Sequence, residues 1–148
     1  KTNYKDPAYY NNTDSSYSFA DDKVTESWGT ATPKQLEDRN ATDKDGVELD
    51  PVVVIEGLKT QKKKIVKQQA SGLLEKTDWH NHKALDDDTY TIPDNIKTYR
   101  ANVRAKSNEM ETQIDACTNV DELKALYEYT TQEDGTQTRP LAEFPEEI

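Results

Sequence analysis

Residues 56–79 read EGLKTQKKKIVKQQASGLLEKTDW, and the recurrence of apolar side chains in this stretch decides the fold. Leu58, Ile65, Val66, Ala70, Leu73 and Leu74 fall at spacings of three, four and seven. Side chains with that period share one face of an α-helix. Lys59, Lys62, Lys63, Lys64 and Lys67, with Gln61, Gln68 and Gln69, fill much of the remaining surface and read as a solvated face. Gly72 costs about 1 kcal/mol relative to alanine without breaking the rhythm. The helix is expected to end near Thr77-Asp78-Trp79, and residues 80–91 read as a polar, acidic loop.

Downstream, Pro93 is placed to open a second helix, with Asp94 beside the positive end of its dipole. Ile96, Tyr99, Val103, Met110, Ile114 and Cys117 again recur at three, four and seven. Asn119 and Glu122 form a capping box ahead of Leu123, Leu126 and Tyr127, which predicts a third helix stopped by Gln132-Glu133-Asp134-Gly135. Residues 56–131 are thus a helical unit, a hairpin plus a third helix. Residues 132–148 are an extended acidic tail with Pro140 and Pro145, which Leu141, Phe144 and Ile148 could anchor.

Upstream, the period is two. Tyr17 and Phe19 alternate with polar neighbours, as do Val24, Glu26 and Trp28, and Ala20-Asp21-Asp22 separates the runs. This predicts a β-hairpin, and a lone hairpin is marginal in water unless it packs on something. Val47, Leu49 and Val52-Val53-Val54-Ile55 read as further strand material interrupted by Pro51. Residues 17–55 form a small β region on this reading. Residues 1–16 are an extended arm in which Tyr4, Tyr9 and Tyr10 offer flat apolar rings. The expected fold class is α+β: an N-terminal arm, a small β region, and a C-terminal helical hairpin plus third helix.

The composition restricts the core. Of 148 residues, 32% are hydrophobic and 32% charged, against roughly 45–50% (with glycine counted) and about 25% in ordinary domains. A chain that buries so little must recover its ordering entropy partly from partners. The net charge of −10 divides into −5 over residues 1–50, +3 over residues 51–104 and −8 over residues 105–148. Such a chain repels a polyanion, and its one lysine cluster lacks interleaved aromatics, so no nucleic-acid partner is expected. No stretch reaches the ~20 apolar residues that span a bilayer. The single cysteine, Cys117, excludes an internal disulfide and reads as a small buried hydrophobe in a protein made in a reducing compartment. A start at Lys1 without methionine is what a chain missing some N-terminal residues shows.

Motifs for chemistry are sparse. Asp43-Lys44-Asp45-Gly46 places Ala41 and Val52 at the first and last ligand positions of a calcium loop, so that frame fails. His80 and His82, two residues apart and followed by Asp86-Asp87-Asp88, read as a polar loop with no metal. No Gly-rich phosphate loop, nucleophile elbow or zinc spacing occurs, and two histidines with one cysteine leave little for a triad. No catalytic centre and no cofactor are expected.

The most specific pattern is Leu73-Leu74-Glu75-Lys76-Thr77-Asp78-Trp79, a loop, then Tyr99-Arg100-Ala101-Asn102-Val103-Arg104. It resembles the bacteriophage tail assembly chaperone family, with its Leu-Leu-x-x-Thr-Asp-Trp element and Tyr-Arg-x-x-Leu/Val-Arg helix. Val103 stands where leucine is common and the loop is longer, while the proline-initiated helix is kept. The resemblance covers about a third of the chain. It implies a protein-interaction role in tail or tail-fibre assembly, in the host cytoplasm, with phage tail, fibre or baseplate proteins as partners. The alternative is a structural component that stays in the virion tail, with several copies in the particle. Trp79 is expected to fold under the second helix against Tyr99 and Val103, and Asp78 to cap or to pair with Arg100 or Arg104. On one reading these residues only hold the helical hairpin together; on the other, Trp28, Trp79, Tyr99, Arg100 and Arg104 are the partner-binding residues, because such side chains dominate interface energetics.

Overall fold

The computed structural model describes residues 3–148 and shows a mixed α+β fold. Its strands are β1 (Tyr10–Asn11), β2 (Ser15–Ala20), β3 (Lys23–Trp28), β4 (Thr32–Pro33), β5 (Arg39–Asn40), β6 (Val54–Ile55), β7 (Thr130–Thr131) and β8 (Gln137–Thr138). Its helices are α1 (Leu58–Glu75), α2 (Asp78–Asp86), α3 (Asp94–Ala116) and α4 (Val120–Ala125). The strands pair antiparallel in twos, as β1–β4, β2–β3, β5–β6 and β7–β8.

The predicted apolar stripes of α1 and α3 meet in an antiparallel pair. Val66, Met110 and Ile114 are buried at one end with Leu58, Cys117, Val120 and Leu123. Ala70, Tyr99 and Val103 cluster at the other end, with Leu73, Leu74 and Phe144 against them. Each fully buried large side chain here stabilises the pair by roughly 1.5–3 kcal/mol relative to exposure. Ile65, placed on the buried stripe by its spacing, is half exposed instead. Val66, about 100° further round the helix, points inward.

The start of α1 is capped by distant chain. Leu58 N and Lys59 N donate to the carbonyls of Gln35 and Leu36 at 2.9 and 3.1 Å. Asp38 accepts from Gly57 N at 2.7 Å and from the Thr60 hydroxyl at 2.9 Å. These bonds satisfy N–H groups that a helix leaves without internal partners. The approach is so close that a Cβ on Gly57 would meet Leu36 O at 2.4 Å, so only glycine fits. At α4, Asn119 Oδ1 accepts from Glu122 N at 2.9 Å, as its capping box predicts. The returning Glu122 carboxylate takes Thr118 N at 2.6 Å, one residue earlier than in the standard box.

Three expectations are corrected. The arm at residues 1–16 is not a free, partner-ordered extension over its described part. Tyr9 and Tyr10 lie in the main core, Lys34 N donates to Tyr9 O at 2.9 Å, and the Tyr10 hydroxyl donates to Asp121. Two aromatic rings supply enough buried area to fix a short segment that is otherwise polar. Residues 1 and 2 lie outside the described residues. The second correction is α2, which occupies most of the stretch read as a loop. Its sequence has almost no apolar period, and only His80 is buried. The third concerns the hairpin, whose strands pack chiefly on one another and leave Tyr17, Phe19 and Val24 exposed.

The C-terminal tail does dock. Leu141 is buried, Leu141 N donates to Leu126 O at 3.0 Å, and Gln113 of α3 bonds both Pro140 O and Ala142 N. Phe144 packs against both core clusters, whereas Ile148 is exposed. No helix among the described residues is long and apolar enough to cross a membrane.

Candidate functional site

Thr77, Asp78 and Arg100 of the Thr-Asp-Trp and Tyr-Arg pattern come together as a clasp between α1, α2 and α3. Arg100 Nη1 donates to Leu74 O at 2.9 Å and to Thr77 Oγ1 at 2.7 Å, and Nη2 lies 2.8 Å from Asp78 Oδ1. The guanidinium fork suits this convergence of carbonyl, hydroxyl and carboxylate, which lysine could not reproduce. Thr77 is buried, and its hydroxyl also donates to Leu74 O at 3.0 Å. One arginine therefore satisfies the C-terminal end of α1 and ties it to the start of α2.

This geometry redistributes the predicted partner-binding residues. Tyr99 and Arg100 are buried at 5% and 8% exposure and cannot meet a partner directly. Arg104 is exposed and leans on Arg100 O at 3.4 Å. Trp79 does not fold under α3. It is 54% exposed and stacks on His80 at 3.8 Å, because the first turn of α2 swings it to the outside. His80 Nδ1 contacts the Tyr90 hydroxyl at 2.5 Å, and Lys83 lies over the Tyr90 ring. Leu85, on the same helix, is 80% exposed. No group of three or more His, Cys, Asp or Glu side chains capable of holding a metal ion occurs among the described residues.

The lysine cluster is a solvated face only in part: Lys64 and Lys67 are exposed, and Lys59, Lys62 and Lys63 are partly covered. Lys59 pairs with Glu37 at 2.5 Å and donates to Asp115 O at 3.0 Å. Lys63 pairs with Asp115 at 2.7 Å, Lys67 with Glu111 at 3.2 Å, and Lys64 with Glu56. Lys62 reaches between the rings of Tyr9 and Tyr127, 4.8 and 4.7 Å from their centres. Burial there pulls its ammonium below the usual lysine range, opposed by Asp6. Each surface pair is worth at most about 1 kcal/mol, but together they leave α1 little free cationic surface.

Most of the exposed large apolar side chains lie on the β region. Asp21 and Asp22 both have positive φ, 53° and 56°, the backbone of a tight two-residue hairpin turn. The register pairs Tyr17 with Glu26 and Phe19 with Val24, so these side chains share one face. Tyr17, Phe19 and Val24 are each about 70% exposed (69%, 71% and 69%). Val47, Val52, Val53 and Val54 are also exposed around the second β segment. Trp28 is half-buried at the root of the hairpin, edge-on to Tyr4 with ring centres 5.0 Å apart. Among the described residues its Nε1 is buried without a hydrogen-bond partner. The alternation of Tyr17 and Phe19 with serines was readable in the sequence. The absence of a second layer to cover them was not.

Neither family models, curated proteins nor solved structures match this chain.

Proposed function

We propose that this protein works by binding another protein, as an assembly factor or component of a bacteriophage tail. The observation that carries the binding role is the exposed apolar face of Tyr17, Phe19 and Val24 on the β2–β3 hairpin. Contiguous exposed apolar surface on a soluble protein marks an interaction site. The phage-tail part of the reading rests on the Thr77-Asp78-Trp79 and Tyr99-Arg100 pattern, of which Thr77, Asp78 and Arg100 form one clasp in the fold. That pattern is a signature of the helical base, and the contact surface lies elsewhere.

The second form of the reading is a tail, fibre or baseplate component retained in the particle. Co-expression with tail, fibre and baseplate proteins followed by pull-down tests the role. Recovery of a tail protein, lost on Phe19→Ser, supports it. Recovery of none, with the chain folded, overturns it. Mass spectrometry of finished particles separates the two forms: a component is present in symmetric copy number and an assembly factor is absent.

A further inference from the structure

We infer that the outer edge of β2 is a strand-acceptor site, which takes one extended, apolar-alternating segment with basic ends from another protein. The inference rests on the binding role proposed above and names its chemistry. The tight turn makes Ala20 and Lys23 a hydrogen-bonded pair, so by the alternation of an antiparallel ladder Ser15, Tyr17 and Phe19 turn their N–H and C=O groups outward. Among the described residues β2 pairs with β3 alone. A six-residue edge is thus open on the strand that also exposes two aromatic side chains.

Proteins ordinarily blunt such an edge with lysine, proline or a bulge. The β2 sequence, Ser-Ser-Tyr-Ser-Phe-Ala, has no charge and no proline, and its ladder to β3 is unbroken from Ser15 to Ala20. An added strand would gain main-chain hydrogen bonds from the edge and side-chain contact with Tyr17 and Phe19 from alternate positions.

Charge selects the occupant. Asp14 stands at one end of β2 and Asp21 with Asp22 at the other, and the hairpin from 14 to 28 carries four carboxylates against one lysine, Lys23. Antiparallel pairing of two copies would bring Asp14 of each beside Asp21 and Asp22 of the other, setting like charges together at both ends. A segment with lysine or arginine at its ends meets opposite charge at both. The favoured occupant is therefore a different chain.

The test uses the full chain and two synthetic peptides, Lys-Lys-Val-Thr-Val-Thr-Val-Lys-Lys and the same core between glutamate pairs. Amide hydrogen exchange followed by NMR is the readout. The lysine-flanked peptide is expected to bind saturably, to protect the Ser15, Tyr17 and Phe19 amides, and to bind roughly ten-fold or more tightly than the glutamate-flanked one. Tyr17→Pro removes one outward N–H without a ladder bond, and Phe19→Lys leaves the backbone intact. Both should abolish the protection while far-UV circular dichroism is unchanged. Equal binding of the two peptides, or protection elsewhere, overturns the inference. Self-association that protects the same three amides overturns the choice of occupant in favour of a second copy. If a tail protein is recovered in pull-down but these amides stay unprotected, the binding role stands and the β2 edge is not its site.

Discussion

Arg100 on α3 donates to the Thr77 hydroxyl at 2.7 Å, and the same guanidinium reaches Asp78 at 2.8 Å. The pair sits where α1 has run out of internal hydrogen-bond partners, so the arginine fastens one helix end to the next helix start. Arg100→Met removes the charge but keeps most of the volume. It should cost about 2–4 kcal/mol, nearer the lower figure because Asp78 is half exposed and can rehydrate. Arg104→Ala, a few residues on and exposed, should cost less than about 0.5 kcal/mol. Urea unfolding of the two variants checks this, and equal losses would refute the clasp.

Packing makes a second contrast. Ile114 is fully buried between the helices, and Ile114→Ala should cost roughly 2–5 kcal/mol through lost burial and a cavity. Trp79 is the larger side chain but is more than half exposed, with ring stacking on His80 as its main attachment. Trp79→Ala should cost no more than about 1.5 kcal/mol. Thermal melts giving the reverse order would place Trp79 back in the core.

The Tyr10–Asp121 contact gives the third prediction. Its hydrogen bond to the carboxylate, with burial and the nearby negative charge, pushes the Tyr10 phenol from 10.0 up to about 12. A group whose folded pKa is raised stabilises the fold fully below its unfolded value and loses that contribution as pH climbs through the folded one. The difference in Tm between the native chain and Tyr10→Phe should therefore be constant up to about pH 10 and shrink between about 10 and 12. Subtracting the variant removes the parallel alkaline effect of Tyr127, which burial also raises to about 12. A difference that grows across this window would contradict the bond.

Asp38 supplies the opposite sign. Hydrogen bonds from Gly57 N and the Thr60 hydroxyl, aided by Lys63 and Lys64, hold its carboxyl below the ordinary 3.8. A depressed carboxyl stabilises the fold above its unfolded value and loses that contribution as pH falls through the folded one. Asp38→Ala should lower the unfolding midpoint at neutral pH, and the gap to the native chain should close on acidification below about 3.8. A gap that persists at the lowest pH would show that Asp38 acts through packing instead of its charge.

The helical half of the fold was legible because its physics is local. Stripes at three and four, a proline before α3 and an Asn-x-x-Glu cap at α4 each state a helix or its boundary without reference to the rest of the chain. That Asp78 could meet an arginine of α3 was readable too, since opposite charges bracket a helical turn-back, but the choice of Arg100 over Arg104 was not. The β2–β3 hairpin followed from its alternation and its Asp-Asp turn.

Other features depended on what lies far away in the chain. α2 has no apolar rhythm, and it forms where Arg100 fixes its first turn and His80 finds Tyr90. Whether Tyr9 and Tyr10 form part of a mobile arm or of the core depends on α1 and α4 arriving beside them. The exposure of Trp79, and the burial of Tyr99 and Arg100, depend on the angle at which α2 leaves α1. Period and propensity determine which face of a segment is apolar; only the assembled neighbours determine whether that face is covered. Tyr17 and Phe19 remain on the surface because, among the described residues, no second sheet or helix is laid across them.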